Sequence, residues 1–459
     1  MKQNRNMKVL VVGIGAIGSS IAAQLSKDGC EVTVIDVNSE KLDNLANTVD
    51  AIGYQGNGAS YNTLDEVNAK DADVLIAVSD SDEINILSCF TAHHIGTKHT
   101  IARIRDVDYA NQHHFYKYEL GLSMIINPDL ASANEIFRTM RFPSATRIEL
   151  FAGGRAELVE LIVKEESPLI GHNLMEIRQN MGINLLVCAI VRDGKAFVPK
   201  GHDIINQGDT IYLTGEDMEF RNSFKKLKLP IKPLRSVMIA GNDRTTLYLS
   251  NLLTQRGMKV TIVDVDSDIC RIMSEKLPKA SVMNEDSLRY FDSMSESDLK
   301  NTDAFIAITT NDEYNLIAAM YAESQGIGKV IAKVGAKSRL KVLPDDTQIC
   351  TISREDVAAD RILGYTRALL NAEDNDAVES LYRLVDGQLE FIEFNVDKND
   401  GNLGIPLKNI KFKRNVLLAG IIRASHMIIP KGDDFLQDGD VALVAAVDHQ
   451  IARLEDIYE

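Results

Sequence analysis

The sequence has no tryptophan, only ten prolines and only five cysteines among its 459 residues. Cys30, Cys89, Cys188, Cys270 and Cys350 are odd in number and far apart, with no CxxC pair and no Cys/His cluster at metal-ligand spacing. A disulfide framework and a structural zinc site are therefore excluded as expectations, and buried idle thiols are expected instead. No apolar run approaches the roughly 20 residues that cross a bilayer, so any membrane role is expected to be peripheral. Met1-Lys2-Gln3-Asn4-Arg5-Asn6 leads into a strand pattern and not into the core of a signal peptide, which points to a cytoplasmic chain. Positive charge is in short supply. Fifty Lys and Arg face 66 Asp and Glu, a net charge of −16, which argues against a general affinity for nucleic acid.

What is present is a motif written twice. Val9-Leu10-Val11-Val12-Gly13-Ile14-Gly15-Ala16-Ile17-Gly18 is followed by Val32-Thr33-Val34-Ile35-Asp36. Val237-Met238-Ile239-Ala240-Gly241-Asn242-Asp243-Arg244-Thr245-Thr246 is followed by Val260-Thr261-Ile262-Val263-Asp264, with the same separation between glycine and acid. The duplication continues. Asp73 to Asn85 recurs as Asp303 to Asn315, and Ile101-Ala102-Arg103-Ile104 as Ile331-Ala332-Lys333-Val334. Pro199-Lys200-Gly201 with Gly208-Asp209 recurs as Pro430-Lys431-Gly432 with Gly439-Asp440. The chain is thus a tandem duplication of one unit, in keeping with a length that suggests about three ordinary domains or more.

Each unit changes character along its length. Its first part alternates short apolar strands, at Val9–Val12, Val32–Ile35, Ala51–Tyr54, Val74–Val78 and Thr100–Ile104, with amphipathic helical stretches such as Ser19–Lys27. Strands too apolar for one-sided burial imply a parallel, doubly wound sheet. The second part, from about Ala156 to Gly215, is strand-rich and punctuated by turns. The expected fold is α/β: two Rossmann-like doubly wound domains, each followed by a small α+β domain. The expected bounds are 1–142, 148–228, 234–366 and 376–459. Asn127-Pro128-Asp129 should open a helix to about Met140, with Pro143 soon after. Leu229-Pro230-Ile231-Lys232-Pro233 and Asn371-Ala372-Glu373-Asp374-Asn375-Asp376 read as linkers.

A lone GxGxxG is weak, but here it follows a strand, opens a helix and precedes a second strand ending in an acid. Gly13 makes the tight turn, Gly15 lets the backbone approach a pyrophosphate, and Gly18 lets helix pack on sheet. The helix N-terminus offers N–H groups to phosphate. Asp36 suits the two adenosine ribose hydroxyls and repels a 2′-phosphate, favouring NAD(H) over NADP(H). Gly56-Asn57-Gly58, Ser79-Asp80 and Arg103 follow strands three, four and five, so all should reach the same sheet edge. Each has a blander account: a turn, a helix cap formed by Asp80 with Glu83 (and by Thr310 with Glu313), and a surface or core-edge arginine. In the second copy Asp243 and Thr246 replace two glycines and Lys333 replaces the arginine, so dinucleotide binding should be weakened there.

An oxidoreductase would need a second domain carrying an acid–base group near the nicotinamide. The second half repeats the first instead. His93-His94 and His113-His114 sit in helical stretches beside polar residues and read as solvated faces. An NAD-dependent oxidoreductase remains the alternative from another class.

Gly13–Gly18 with Asp36, Gly56-Asn57-Gly58-Ala59-Ser60, Ala77 to Asn85, Ile101-Ala102-Arg103-Ile104-Arg105 and the doubled Pro-Lys-Gly motif together resemble the TrkA-type potassium-uptake regulators. The units of that family are RCK (regulator of potassium conductance) domains. The resemblance implies that Gly13, Ile14, Gly15, Ala16, Ile17 and Gly18, with Asp36, Asn57, Ser79, Asp80 and Arg103, contact NAD+ or NADH. It further implies no catalytic turnover and no catalytic or metal-binding residues. The implied assembly is a homo-oligomeric ring of four chains on the cytoplasmic face of a potassium-translocating membrane subunit, gated by nucleotide binding. An RCK regulator of another cation channel or antiporter shares these motifs.

Overall fold

The computed structural model describes residues 7–106, 115–116, 119–140, 145–151, 155–227, 234–335, 342–344, 347–373, 378–398, 400–424, 426–448, 451 and 453–459. Pro143, the His113-His114 pair, the Leu229–Pro233 linker and part of the 371–376 joint lie outside these residues. His93 and His94 are exposed, as expected of a solvated helix face.

The first Rossmann-like sheet holds β1 (Lys8–Val12), β2 (Glu31–Asp36), β3 (Ile52–Gln55), β4 (Val74–Ala77), β5 (His99–Arg103) and β6 (Met124–Ile126). Their order is β3-β2-β1-β4-β5-β6 and every pairing is parallel. β1 and β4 are buried nearly throughout, which accounts for their unbroken apolar sequences. β6 is short and was not anticipated. Helices α1 (Ala16–Lys27), α2 (Ser39–Ala46), α3 (Tyr61–Glu66) and α4 (Asp82–Ile95) connect the strands. α5 (Pro128–Thr139) follows β6; Asn127 caps it by accepting the Leu130 N–H, and Pro128 occupies its first turn.

The first small domain is an antiparallel five-stranded sheet of β7 (Arg147–Phe151), β8 (Ala156–Ile162), β9 (Leu186–Arg192), β10 (Lys195–Phe197) and β11 (Thr210–Gly215), in the order β10-β9-β11-β8-β7. It is joined by α6 (Leu174–Asn180) and α7 (Asp217–Lys226). The second unit repeats the plan. Its parallel sheet is β12 (Ser236–Ala240), β13 (Lys259–Asp264), β14 (Ser281–Asn284), β15 (Ala304–Ala307), β16 (Lys329–Lys333) and β17 (Cys350–Ile352), ordered β14-β13-β12-β15-β16-β17. Its helices are α8 (Arg244–Gln255), α9 (Ser267–Lys276), α10 (Ser287–Ser293), α11 (Glu296–Lys300), α12 (Asp312–Ser324) and α13 (Arg354–Glu373). The last sheet is β18 (Val378–Leu384), β19 (Leu389–Asn395), β20 (Val416–Arg423), β21 (His426–Ile428) and β22 (Val441–Val447), ordered β18-β19-β22-β20-β21.

The two units are interlocked. α5 leaves its own sheet, and its Ala133, Ile136 and the following Met140 enter a core with Leu249 and Leu253 of α8. α13 does the reverse: Ala358, Ala359, Ile362 and Leu363 pack with Ile17, Ile21 and Leu25 of α1. Polar ties fix both crossings. Asp129 is buried and accepts from Thr245 at 3.3 Å and from Arg354 at 3.2 Å. Asn127 donates to the Tyr248 hydroxyl at 3.2 Å. Arg367 and Asp28, both largely buried, pair at 2.7 Å. The small domains also share a core, in which Phe151, Cys188 and Tyr212 meet Leu389, Phe391 and Leu443. The repeated Gly-Asp motif is explained here: Asp209 and Asp440 each receive a bidentate arginine, Arg192 and Arg423, which ties the end of β9 or β20 to the turn that precedes its sheet neighbour, β11 or β22. All five cysteines are buried and free.

Candidate nucleotide-binding site

The glycine loop runs off β1 at the carboxyl edge of the first sheet. Gly13 has φ +96°, and a Cβ there would come within 2.7 Å of the Ser79 backbone, so only glycine fits. A Cβ on Gly18 would lie 2.0 Å from the Gly13 carbonyl oxygen, which shows how closely α1 meets the loop. Gly15 faces open space, with nothing within 4 Å of its would-be Cβ. It is the N-cap of α1 and supplies no side-chain cap, so the first amides of the helix are left for an external acceptor. Ile14 and Ile17 bury their side chains in the core and can offer a ligand only their backbone. Ala16 is exposed beside Gly15.

Asp36 ends β2 next to this loop. Its Oδ2 accepts the Ile14 N–H at 2.7 Å and its Oδ1 accepts the Asn38 N–H at 2.9 Å. The acid is thereby oriented by the same loop that would meet the phosphates. Ser79 follows β4, and its hydroxyl donates to Asn85 Oδ1 at 2.7 Å. Arg103 ends β5 and is buried; its guanidinium donates to the Ser79 carbonyl and, at 3.3 Å, to Asp80 Oδ1. The structure therefore brings Gly13, Ile14, Gly15, Asp36, Ser79, Asp80 and Arg103 to one edge. Asn57 is exposed in a turn, where its side chain accepts the Ala59 N–H at 3.0 Å. Gly58 places that turn against the end of β1, because a Cβ there would come within 2.2 Å of Val12.

The capping expectation is corrected. α4 begins one residue later than that spacing requires, so Ser81 is the cap and accepts the Ile84 N–H at 3.2 Å. Asn311 caps α12 in the same way through Tyr314. Asp80 is released from that role, and its side chain is 94% exposed beside Arg103.

Two residues escaped the sequence reading. Asn85 is fully buried; it receives the Ser79 N–H at 2.8 Å and donates to the Arg103 carbonyl at 2.9 Å, holding the ends of β4 and β5 together. Asn315 repeats this with Thr309 and Lys333. The recurrence of an asparagine at both positions was the available signal. The other is Arg105, which donates to the Asp80 carbonyl at 2.7 Å.

The edge has cationic donors to spare. Burial first, and then the neighbouring Arg105 cation, pull Arg103 below the ordinary guanidinium range, against Asp80 and Asp82. The buried Nε–H groups of Arg103 and Arg105 have no acceptor among the described residues. A pyrophosphate fits these features: open space at Gly15, uncapped helix amides, and two arginines with donors to spare.

The second copy is closed. Asp243 caps α8 by accepting the Thr246 N–H at 3.1 Å, and its other oxygen lies 2.7 Å from Lys333 Nζ. Thr246 turns its hydroxyl onto the Gly241 carbonyl at 3.0 Å.

A doubled Rossmann-type unit with one open cradle, interlocked by crossover helices, defines a tandem-repeat protein of the Rossmann type. Models of the TrkA-N domain match residues 9–128 and 237–350, and models of the TrkA-C domain match residues 158–225 and 391–458. The chain belongs to the TrkA family. It is 26% identical over 461 residues to Trk system potassium uptake protein TrkA homolog 1 of Methanosarcina mazei, covering 99% of this chain and 100% of that one. It is 25% identical to Trk system potassium uptake protein TrkA of Haemophilus influenzae, covering 99% of both. Among solved structures, the GsuK RCK domain aligns over 98% of this chain and 94% of its own, with TM-score 0.58 and 15% identity. The GsuK channel bound to NAD aligns over 98% of this chain and 78% of its own, with TM-score 0.59 and 14% identity. At these identities the two structures speak for the fold.

Proposed function

We propose that this chain is the NAD(H)-binding regulatory subunit of a Trk-type potassium uptake system, acting on a membrane potassium-translocating subunit through nucleotide-dependent conformational change. The observation that carries the reading is the edge at Gly15, where uncapped helix amides and arginine N–H groups without an acceptor among the described residues lie beside an acid suited to a ribose. The full-length relatives named as Trk potassium uptake proteins support the partner. Among the described residues no helix is long and apolar enough to cross a membrane, so the chain would act from the cytoplasmic surface as a peripheral subunit. The proposed assembly is a ring of four chains, each divided at the bounds given above.

The geometry of the edge supports the following roles. Amides of Gly15, Ala16, Ile17 and Gly18 would take pyrophosphate oxygens, Arg103 would balance their charge, and Asp36 would accept the ribose hydroxyls. Ser79 and Asp80 would border the bridging part of the ligand, and Asn57 the adenine. The bound nucleotide would supply charge and bulk, not a reaction.

A ligand moves an equilibrium only as far as it binds one conformation better than another. Here the path is short. Arg105 accepts from Asn127 at 3.4 Å through its carbonyl, and Asn127 caps α5 and reaches Tyr248 on α8. Tightening the β5 end on phosphate would shift α5 against the second Rossmann domain. The test is calorimetric titration of the full chain with NADH, followed by potassium flux through the membrane subunit in vesicles with and without NADH. No NADH binding, or binding that leaves flux unchanged, rejects the reading.

A further inference from the structure

We infer that the second Rossmann domain carries its own anion: the Asp243 carboxylate occupies the place of a nucleotide phosphate, and Lys333 and the α8 N-terminus bind it as they would bind that ligand.

The inference begins from positional equivalence. Asp243 stands where the first copy has Gly15, and Lys333 where it has Arg103. In the first copy that space is open and the helix uncapped. In the second, one carboxylate satisfies both partners of a phosphate at once. One oxygen takes the Thr246 N–H in the first turn of α8, and the other takes Lys333 Nζ at 2.7 Å. The pair is well shielded, with side chains 18% and 14% exposed. A carboxylate at a helix N-terminus beside a lysine provides the charge and the acceptors that a phosphate would. A lysine suits it, because one carboxylate oxygen needs a point charge and not a guanidinium fork.

The turn on the far side of the cleft is tied down as well. The turn after β14 bears Asp286 and Ser287 where the first copy has Asn57 and Gly58. Tyr314, from the first turn of α12, donates to Asp286 Oδ2 at 2.8 Å and lies 2.8 Å from the Ser287 hydroxyl. The consequence is an asymmetry within one chain. One Rossmann domain waits for an anion and the other holds one permanently. The permanently filled domain presents α8, by Thr245 and Tyr248, to the start of α5. It acts as a fixed abutment against which a movement of α5 becomes a movement of the whole chain.

The inference concerns the second cleft and is tested separately from the first. NADH equivalents per full-length chain are counted by calorimetry for the wild type, Asp36→Ala, Asp243→Gly and the Asp36→Ala/Asp243→Gly double variant. The expected counts of sites that bind with the wild-type affinity are one, none, two and one, the Asp36→Ala site remaining only as a weakened one. Inorganic pyrophosphate should likewise gain one equivalent in Asp243→Gly. Two equivalents in the wild type, or no gain in Asp243→Gly, overturns the inference. No binding by the wild type with one equivalent in Asp243→Gly rejects the first-site reading and leaves this one standing. Should Asp243→Gly fail to fold, the reciprocal Gly15→Asp decides. It should lower NADH affinity at least tenfold and raise the thermal midpoint of the ligand-free chain; retained affinity with an unchanged midpoint overturns the inference.

Discussion

The Asp36 carboxylate accepts the Ile14 N–H at 2.7 Å, so the acid that suits a ribose is already clasped by the glycine loop. The loop and the acid act as one unit. Asp36→Ala should remove two charge-assisted contacts to the ribose and loosen the loop, weakening NADH binding by about 2 kcal/mol or ~30-fold. The wild type should also prefer NADH to NADPH, because a 2′-phosphate would meet this carboxylate. Asp36→Asn should narrow that preference. Calorimetry with both nucleotides checks this, and equal affinities in the wild type would remove the ribose role from Asp36.

Arg103 should trade stability for binding. Its buried Nε has no acceptor among the described residues, and burial disfavours its charge. Arg103→Gln removes a cation whose charge is disfavoured by its own burial, so the ligand-free thermal midpoint should stay within about 4 °C of the wild type. NADH affinity should nevertheless fall by about 2 kcal/mol, since a charge-assisted contact to phosphate is lost. A large drop in both midpoint and affinity would make Arg103 a structural residue.

The sequence made the first five strands and the glycine loop readable because both are local patterns: apolar runs of strand length, and glycines at fixed spacing. Three things were hidden. β6 is only three residues long, too short to carry a periodicity. The exchange of α5 and α13 between domains was invisible because a helix's apolar face does not name the sheet that covers it. Asp243 and Lys333, taken one at a time in the sequence, are each a lost feature of the motif. That they are joined to each other depends on the parallel sheet bringing the ends of β12 and β16 to one edge. The cap at Ser81 shows the other limit, since one residue of error in a helix start changes which side chain is free for a ligand.

The Asp28–Arg367 pair should hold α13 to α1. Both side chains are about one-tenth exposed or less, so removing either leaves the other charge buried. Arg367→Met should cost about 3 kcal/mol, the usual scale for breaking a buried pair. Asp28→Asn added to it should recover part of the loss, because the buried carboxylate charge that Arg367 balances is then removed as well. Denaturant unfolding of the three variants measures this, and a double variant no better than Arg367→Met would show that the pair contributes through packing alone.

Glu135 gives the crossover a pH dependence with a definite sign. It lies on α5, 3.0 Å from Arg138 and with its side chain only 16% exposed. Burial, and then the neighbouring Glu149 carboxylate, raise it to about 7, while Arg138, Arg147 and Arg361 act in the opposite sense. In the unfolded chain a glutamate ionises near 4.3, so between about pH 4.3 and 7 the folded state binds the extra proton. The ionised group therefore costs stability, fully above pH 7, and the cost disappears as the pH falls through that window. Glu135→Gln abolishes the dependence. Relative to the wild type it should gain stability as the pH rises from 5 to 7, and the difference should level off above 7. Unfolding free energies of both proteins across pH 5 to 8 provide the measurement. A difference that does not change with pH would mean that Arg138, Arg147 and Arg361 keep Glu135 ionised throughout, and that the joint between α5, β7 and α13 is insensitive to protons.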